Sequence, residues 1–229
     1  MSWTAPVDIY CERLSPAFWA EPLNAISNLA FLIAALIAFG AARRRGRLEP
    51  PVMTLIALAA AVGVGSFLFH TFAARWAGLA DTAPILLFIL VYLYLAARRY
   101  LRLPALAALG APLLFIAFSF GFLSLWRVGA PSLNGSEGYL PVLVALAGFG
   151  ASLRLRGHPA APALFLAAAV FAASLVCRSL DQAACGVWPS GLHFIWHCLN
   201  GALLAIVMLA FINHGAPVGV RLARRPSRG

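Results

Sequence analysis

The chain has 229 residues and a net charge of +10, with 62% hydrophobic and only 10% charged residues. A soluble domain carries about 25% charged residues, and a chain this small has too much surface to hide such an apolar excess. A soluble enzyme, a disordered chain and a disulfide-rich secreted module are therefore excluded. All 17 basic residues are Arg, in short clusters between apolar runs. That pattern anchors membrane helices rather than gripping phosphates, so no nucleic-acid partner is expected.

A helix needs about 20 apolar residues to cross a bilayer. Seven such runs follow one another: Leu23–Ala42, Pro51–Phe72, Leu79–Ala97, Leu103–Leu125, Tyr139–Leu153, Pro159–Cys177 and Gly191–Asn213. The fifth is short and should borrow residues from its flanks. The amino-terminus lacks the pattern of a cleavable signal, so the first run should remain as a membrane helix. The expected architecture is an all-α membrane protein, one seven-helix domain over residues 1–229. No obligate protein partner is evident.

Orientation follows from the arginines. Arg43, Arg44, Arg45, Arg47, Arg98, Arg99, Arg102, Arg154, Arg156, Arg221, Arg224, Arg225 and Arg228 fall on one side. Only Arg13, Arg75, Arg127 and Arg178 fall on the other. This asymmetry predicts an extracytoplasmic amino-terminal segment, 1–22, and a basic cytoplasmic tail, 215–229.

Ionisable groups inside a bilayer are costly, so each requires a reason. Ser66 and His70 are four apart near the end of the second span, hence on one helix face. Asp81 follows at the start of the third span, after the loop Thr71–Ala80. His193 and His197, again four apart, stand near the start of the seventh. Three stretches thus deliver His, His, His, Asp and Ser to one depth, towards the outer side. Three neutral imidazoles leave one coordination position open, which is how catalytic zinc is held. Zinc lowers the pKa of a bound water to about 7. Asp81 is then the candidate general base or water-orienting group, and Ser66 the candidate donor to a developing oxyanion. Single histidines in spans commonly serve only helix–helix hydrogen bonds; the spacing and the matching depth favour the metal reading. His158 and His214 read as interfacial residues outside this site. Asn24, Ser27 and Asn28 form a polar stripe on the first span, read first as bonding to neighbouring helices and second as shaping the site entrance.

Tyr10-Cys11-Glu12, the segment from Ala20 through Glu21-Pro22 to Leu29, Ser66-x-x-x-His70, Asp81 and His193-x-x-x-His197 together resemble the alkaline ceramidase family. The resemblance covers the whole chain and points to a bacterial-type member, expected in the inner membrane, where the arginine asymmetry turns its site outward. The wider superfamily of seven-helix membrane hydrolases includes the adiponectin and progestin receptors. The resemblance implies zinc on His70, His193 and His197, Asp81 and Ser66 in catalytic roles, and hydrolysis of a lipid amide to release a fatty acid. Eukaryotic members bind calcium through the amino-terminal segment. The corresponding ligands here are Asp8, Glu12 and Glu21, with the main-chain carbonyl of Tyr10. Arg13 and Leu14 stand where further ligands would be expected. The alternative is that Glu12 pairs with Arg13 or Arg75 while Glu21 caps the first span.

Cys11 and Cys185 both lie in segments placed outside, where a disulfide is permitted, and the resemblance supports that pairing. It would close a loop worth about 4–5 kcal/mol by chain entropy. Cys177 is the competing partner, and two unpaired thiols are the other outcome. Cys198, within the seventh span, should pack as a small apolar residue.

The leading function is a zinc-dependent amidohydrolase acting on ceramide or a related N-acyl lipid drawn from the bilayer. The alternative is a zinc-containing lipid receptor of the adiponectin-receptor type, whose amino-terminus would lie on the opposite side. A transporter would need charged groups along a path through the membrane, and here they stop at one depth.

Overall fold

The computed structural model describes residues 2–215. The basic tail, with Arg221, Arg224, Arg225 and Arg228, lies outside the described residues apart from Gly215. Seven helices are long and apolar enough to span a membrane. They are α1 (Pro22–Arg44), α2 (Pro50–Phe72), α3 (Arg75–Arg99), α4 (Ala105–Gly129), α5 (Ser136–Leu155), α6 (Ala161–Ala184) and α7 (His193–His214). No strand occurs among the described residues. Seven helices of this length and apolarity make the chain an integral membrane protein, and helices suit lipid because they satisfy their own backbone groups.

Local chemistry sets the ends. Prolines open α1, α2 and α6, where a missing N–H costs nothing. Arginines close α1 and α3, where positive charge complements the helix dipole. The fifth span does gain residues from its flank, since a single 3₁₀ turn at Ser136–Tyr139 leads into it. α1 breaks at Asn28, between Pro22–Ser27 and Leu29–Arg44.

Span ends shift by a few residues from the sequence expectation, and two of the shifts bear on the site. α3 begins at Arg75, leaving Ala73 and Ala74 as the whole turn after α2. Asp81 therefore sits well within α3 rather than at its start. α6 runs on to Ala184 instead of stopping at Cys177. Arg178 and Asp181 looked like loop residues because they are charged. Both are helical, and both have partners. Arg178 Nη1 donates to the Asn134 carbonyl (2.6 Å) and to Ser136 Oγ (3.2 Å). Asp181 is fully buried and bonded to α7.

α7 is the central post. It packs against α1, α2 and α6, while α2 also packs on α1 and α3, and α5 on α6. α4 is peripheral, touching α3 and α5 with most of its residues exposed. The buried apolar core fills the half of the bundle away from the site, around Leu55, Leu153, Leu164, Met208 and Phe211. Cys198 is exposed on the outward face of α7, not packed inside as expected, and Cys177 is free and half-buried.

Close backbone approach positions α2 against α3. A Cβ added to Gly65 would stand 2.0 Å from the Ala80 carbonyl oxygen. Pro84, inside α3, has no N–H to offer that carbonyl. Glycine at 65 thus lets the neighbours Ser66 and Asp81 come from two helices to one level.

The amino-terminal segment lies across the site end of the bundle. Pro6 bridges Ala74, and the Val7 N–H donates to the Ala73 carbonyl at 2.7 Å. Cys11 and Cys185 form a disulfide, tying the segment to the residue that follows α6.

Candidate metal centre

His70, His193 and His197 converge where α2 ends and α7 begins. One potential ligand atom from each lies within 4.8 Å of the others, and all three side chains are buried. No other set of three or more His, Cys, Asp or Glu side chains comes this close among the described residues.

The hydrogen bonds around the rings leave the metal-facing nitrogens free. His70 Nδ1 is 2.6 Å from Glu21 Oε2. With its N–H donated to that carboxylate, its Nε2 lone pair is available, and Nε2 is buried without a partner. His197 Nδ1 is 2.7 Å from Ser27 Oγ. The single Ser27 hydroxyl proton goes to the Asn24 carbonyl at 2.9 Å. Ser27 must therefore accept from His197 Nδ1–H, leaving Nε2 as the free base. His193 Nδ1 is likewise buried and unpartnered. Both nitrogens are therefore free to accept a ligand from outside the chain. Outer hydrogen bonds that fix ring orientation and tautomer are what metal-ligating histidines require. The residues fit a metal ion.

The helix that carries two of the three ligands is held at its first turn by a residue the sequence reading passed over. Asp181 Oδ1 accepts the N–H groups of Leu192 (2.7 Å) and His193 (2.9 Å). Its Oδ2 accepts the Cys11 N–H at 3.1 Å. A buried carboxylate from α6 thus caps α7 and also grips the amino-terminal segment. Gly191 makes this possible: it has φ +64°, and a Cβ there would lie 2.2 Å from Asp181 Oδ1.

Ser66 is buried on α2 one turn before His70, and Asp81 is half-buried on α3. The Asp81 carboxylate lies within interacting range of the Ser66 hydroxyl and of His70. Tyr10 roofs the site, its ring stacked on His193 with centroids 3.7 Å apart and tilted beside His70 at 5.1 Å. Burial pushes the Tyr10 phenol well above its ordinary range, so it stays neutral.

The amino-terminal acids have found protein partners. Glu12 accepts the N–H groups of Leu23 (2.7 Å) and Asn24 (2.8 Å), capping α1. Glu21, itself at the N-cap, is buried and pairs with Arg13 at 2.5 Å, with Asn24 Nδ2 at 3.0 Å and with His70. The roles weighed for the two glutamates are thus exchanged. The Tyr10 carbonyl accepts the Arg13 N–H at 3.4 Å. Asp8, Glu12 and Glu21 do not gather into a group of the kind the histidines form. In the polar stripe of α1, Ser27 bonds across to His197 on α7, the neighbouring-helix role read first for it; Asn24 reaches the site only through Glu21, and Asn28 bonds within its own helix.

An apolar cavity adjoins the histidines. Phe31 and Trp196 line it, and their rings face His197 and His193. Tyr139, Ile85 and Val142 also border a cleft of about 370 Å³ between α3, α4 and α5. The cleft is bounded on one side by α4, the loosely packed helix.

No curated protein is significantly similar to the chain. The profile of the family described as Ceramidase matches residues 3–216. That span includes all three histidines, Ser66, Asp81 and both disulfide cysteines, so the chain belongs to the Ceramidase family, hydrolases that act on lipids.

Proposed function

We propose that the protein is a zinc-dependent intramembrane amidohydrolase that cleaves the amide bond of ceramide or a related N-acyl lipid and releases a fatty acid. The observation that carries this reading is the convergence of three buried histidines, two of which, His70 and His197, have their outer nitrogens held by Glu21 and Ser27. Family membership supports the lipid amide. His70, His193 and His197 would hold the ion, leaving one position open. Zinc so held acts as a Lewis acid and makes water nucleophilic at neutral pH.

The chain's own residues supply the rest. Asp81 takes a proton from the water that adds to the amide carbon and returns it to the departing amine nitrogen. Ser66 Oγ donates to the carbonyl oxygen as negative charge builds there. The apolar cavity beneath the histidines receives an acyl chain, which reaches it from the bilayer through the cleft beside α4. Tyr10 and the disulfide-tied segment cover the histidines on the other side and limit access of bulk water. The arginine asymmetry supports a site on the extracytoplasmic face of a bacterial inner membrane. Calcium at Asp8, Tyr10, Glu12 and Glu21 draws no comparable support, because Glu12 and Glu21 already accept from protein donors.

Metal analysis of the purified protein, paired with hydrolysis assays on N-acyl lipids, tests the proposal. Stoichiometric zinc should copurify, and His70→Ala should lose zinc and activity together. Wild-type protein that stays fully active after thorough chelation would overturn it.

A further inference from the structure

We propose that Arg13 is a positioning residue, a built-in cation that holds the metal centre in register through Glu21 and His70. The inference rests on the metal reading above. The Arg13 side chain is buried, and its guanidinium is surrounded by oxygen. Nε donates to Glu21 Oε1 at 2.5 Å, Nη1 to the carbonyls of Ser15 (3.1 Å) and Ala17 (3.4 Å), and Nη2 to the His70 carbonyl at 3.0 Å. One planar, permanently charged fork therefore ties together the amino-terminal segment, the N-cap of α1 and the end of α2.

Two of these bonds act on the same histidine. Arg13 holds the main chain of His70, while the carboxylate it anchors holds the ring at Nδ1. With Oε1 fixed on the guanidinium, Glu21 can only present Oε2 to the imidazole. Both the position and the rotation of the ligand are then set from one point. A carboxylate plus three main-chain carbonyls is also the type of oxygen set that a calcium ion accepts. Arg13 fills it with a cation that is covalently part of the chain. The amino-terminal segment of this chain accordingly needs no calcium to keep Glu21 in place.

The test measures metal binding rather than turnover. Wild type, Arg13→Ala and Arg13→Gln are purified, and zinc affinity is read by competition with a chromophoric chelator. The melting temperature of each is recorded with and without zinc. Loss of an outer partner of a ligand typically weakens metal binding about 10–100-fold. Both variants should show such a loss, and the rise in melting temperature on adding zinc should shrink. A residue with a merely structural role would lower the zinc-free and zinc-loaded temperatures equally, and that result overturns the proposal. Wild-type zinc affinity in either folded variant also overturns it. Should Arg13→Ala fail to fold, Arg13→Gln, which keeps a donor without the charge, decides alone. Wild type that binds no zinc at all would instead overturn the metal reading. Adding Ca²⁺ to calcium-stripped wild type should leave zinc affinity unchanged; a calcium-dependent gain would mean that another cation holds Glu21, and would refute the assignment.

Discussion

The two ends of α7 solve the same problem with opposite charges and very different burial. At its start, Asp181 reaches across from α6 and accepts the amides of Leu192 and His193. At its finish, Arg47 donates to the carbonyls of Ile212 and Gly215, and Arg99 donates to Gly215 at 2.9 Å. Both arrangements satisfy terminal backbone groups and complement the helix dipole. Asp181, however, is fully buried. Glu49, which joins Arg47 and Arg99 at 2.8 Å each, keeps 22% of its side chain exposed. A buried carboxylate with three fixed donors defines positions sharply, and the histidines stand on that end. The partly exposed cluster secures a helix terminus without specifying chemistry, because water can replace part of what it supplies.

Substitutions should separate the two ends. The largest effect is expected at the site itself. Asp81→Asn should retain zinc and the fold while turnover falls about 10²–10⁴-fold, the usual worth of general-base help. Ser66→Ala should lose about 10²–10³-fold if it is the oxyanion donor. Steady-state hydrolysis with parallel metal analysis measures both, and an Asp81→Asn enzyme as fast as wild type would remove Asp81 from the mechanism.

Asp181→Ala comes next. It leaves three amides without their acceptor. At roughly 1–3 kcal/mol per buried unsatisfied group, not fully additive, a loss on the order of 3–5 kcal/mol is expected. Zinc affinity should fall with it, because His193 sits on the first turn that Asp181 fixes. A thermal-unfolding series that finds the loss at this end no greater than at the Glu49 end would undo the comparison.

Gly65→Ala should cost about 1–3 kcal/mol, as overpacking does, by forcing α2 away from the Ala80 carbonyl. Activity should fall more than stability predicts, since Ser66 and Asp81 flank that contact. Comparing the melting temperature with kcat in the same variant measures the difference.

The smallest effect belongs to the far end. Partial burial would raise the Glu49 carboxyl, but the hydrogen bonds and charges of Arg99 and Arg47 outweigh it and hold the group below its ordinary value. A depressed folded pKa means that the contribution is complete above the unfolded value of about 4.3 and is lost as pH falls through the folded value. Glu49→Gln should therefore cost about 1 kcal/mol or less near neutrality and leave hydrolysis unchanged. Its deficit relative to wild type should shrink as melting curves are taken at pH values below the unfolded value and vanish once the pH is below the folded one. A deficit that persists in acid would show that charge is not the source.

Composition and local spacing by themselves determined a great deal. Seven apolar runs can only be helices in lipid, and an i, i+4 pair of histidines must share a helix face. The candidate ligands, and the level at which they meet, were legible for that reason. What the tertiary structure decided is who holds them. Asp181 and Arg178 read as loop because charge is costly in a span, and a single sequence does not reveal the remote partners that make it tolerable. Glu21 read as a calcium ligand or a cap of the first span, and Ser27 as one of a polar stripe bonding to some neighbouring helix or shaping the entrance. Their tasks became visible only once α1 lay beside α2 and α7, since Ser27 and His197 are 170 residues apart and Arg13 and His70 are 57 apart. Helical periodicity records which residues face inward together. It carries no record of which buried donor meets which acceptor, because that pairing depends on the packing of helices distant in the chain.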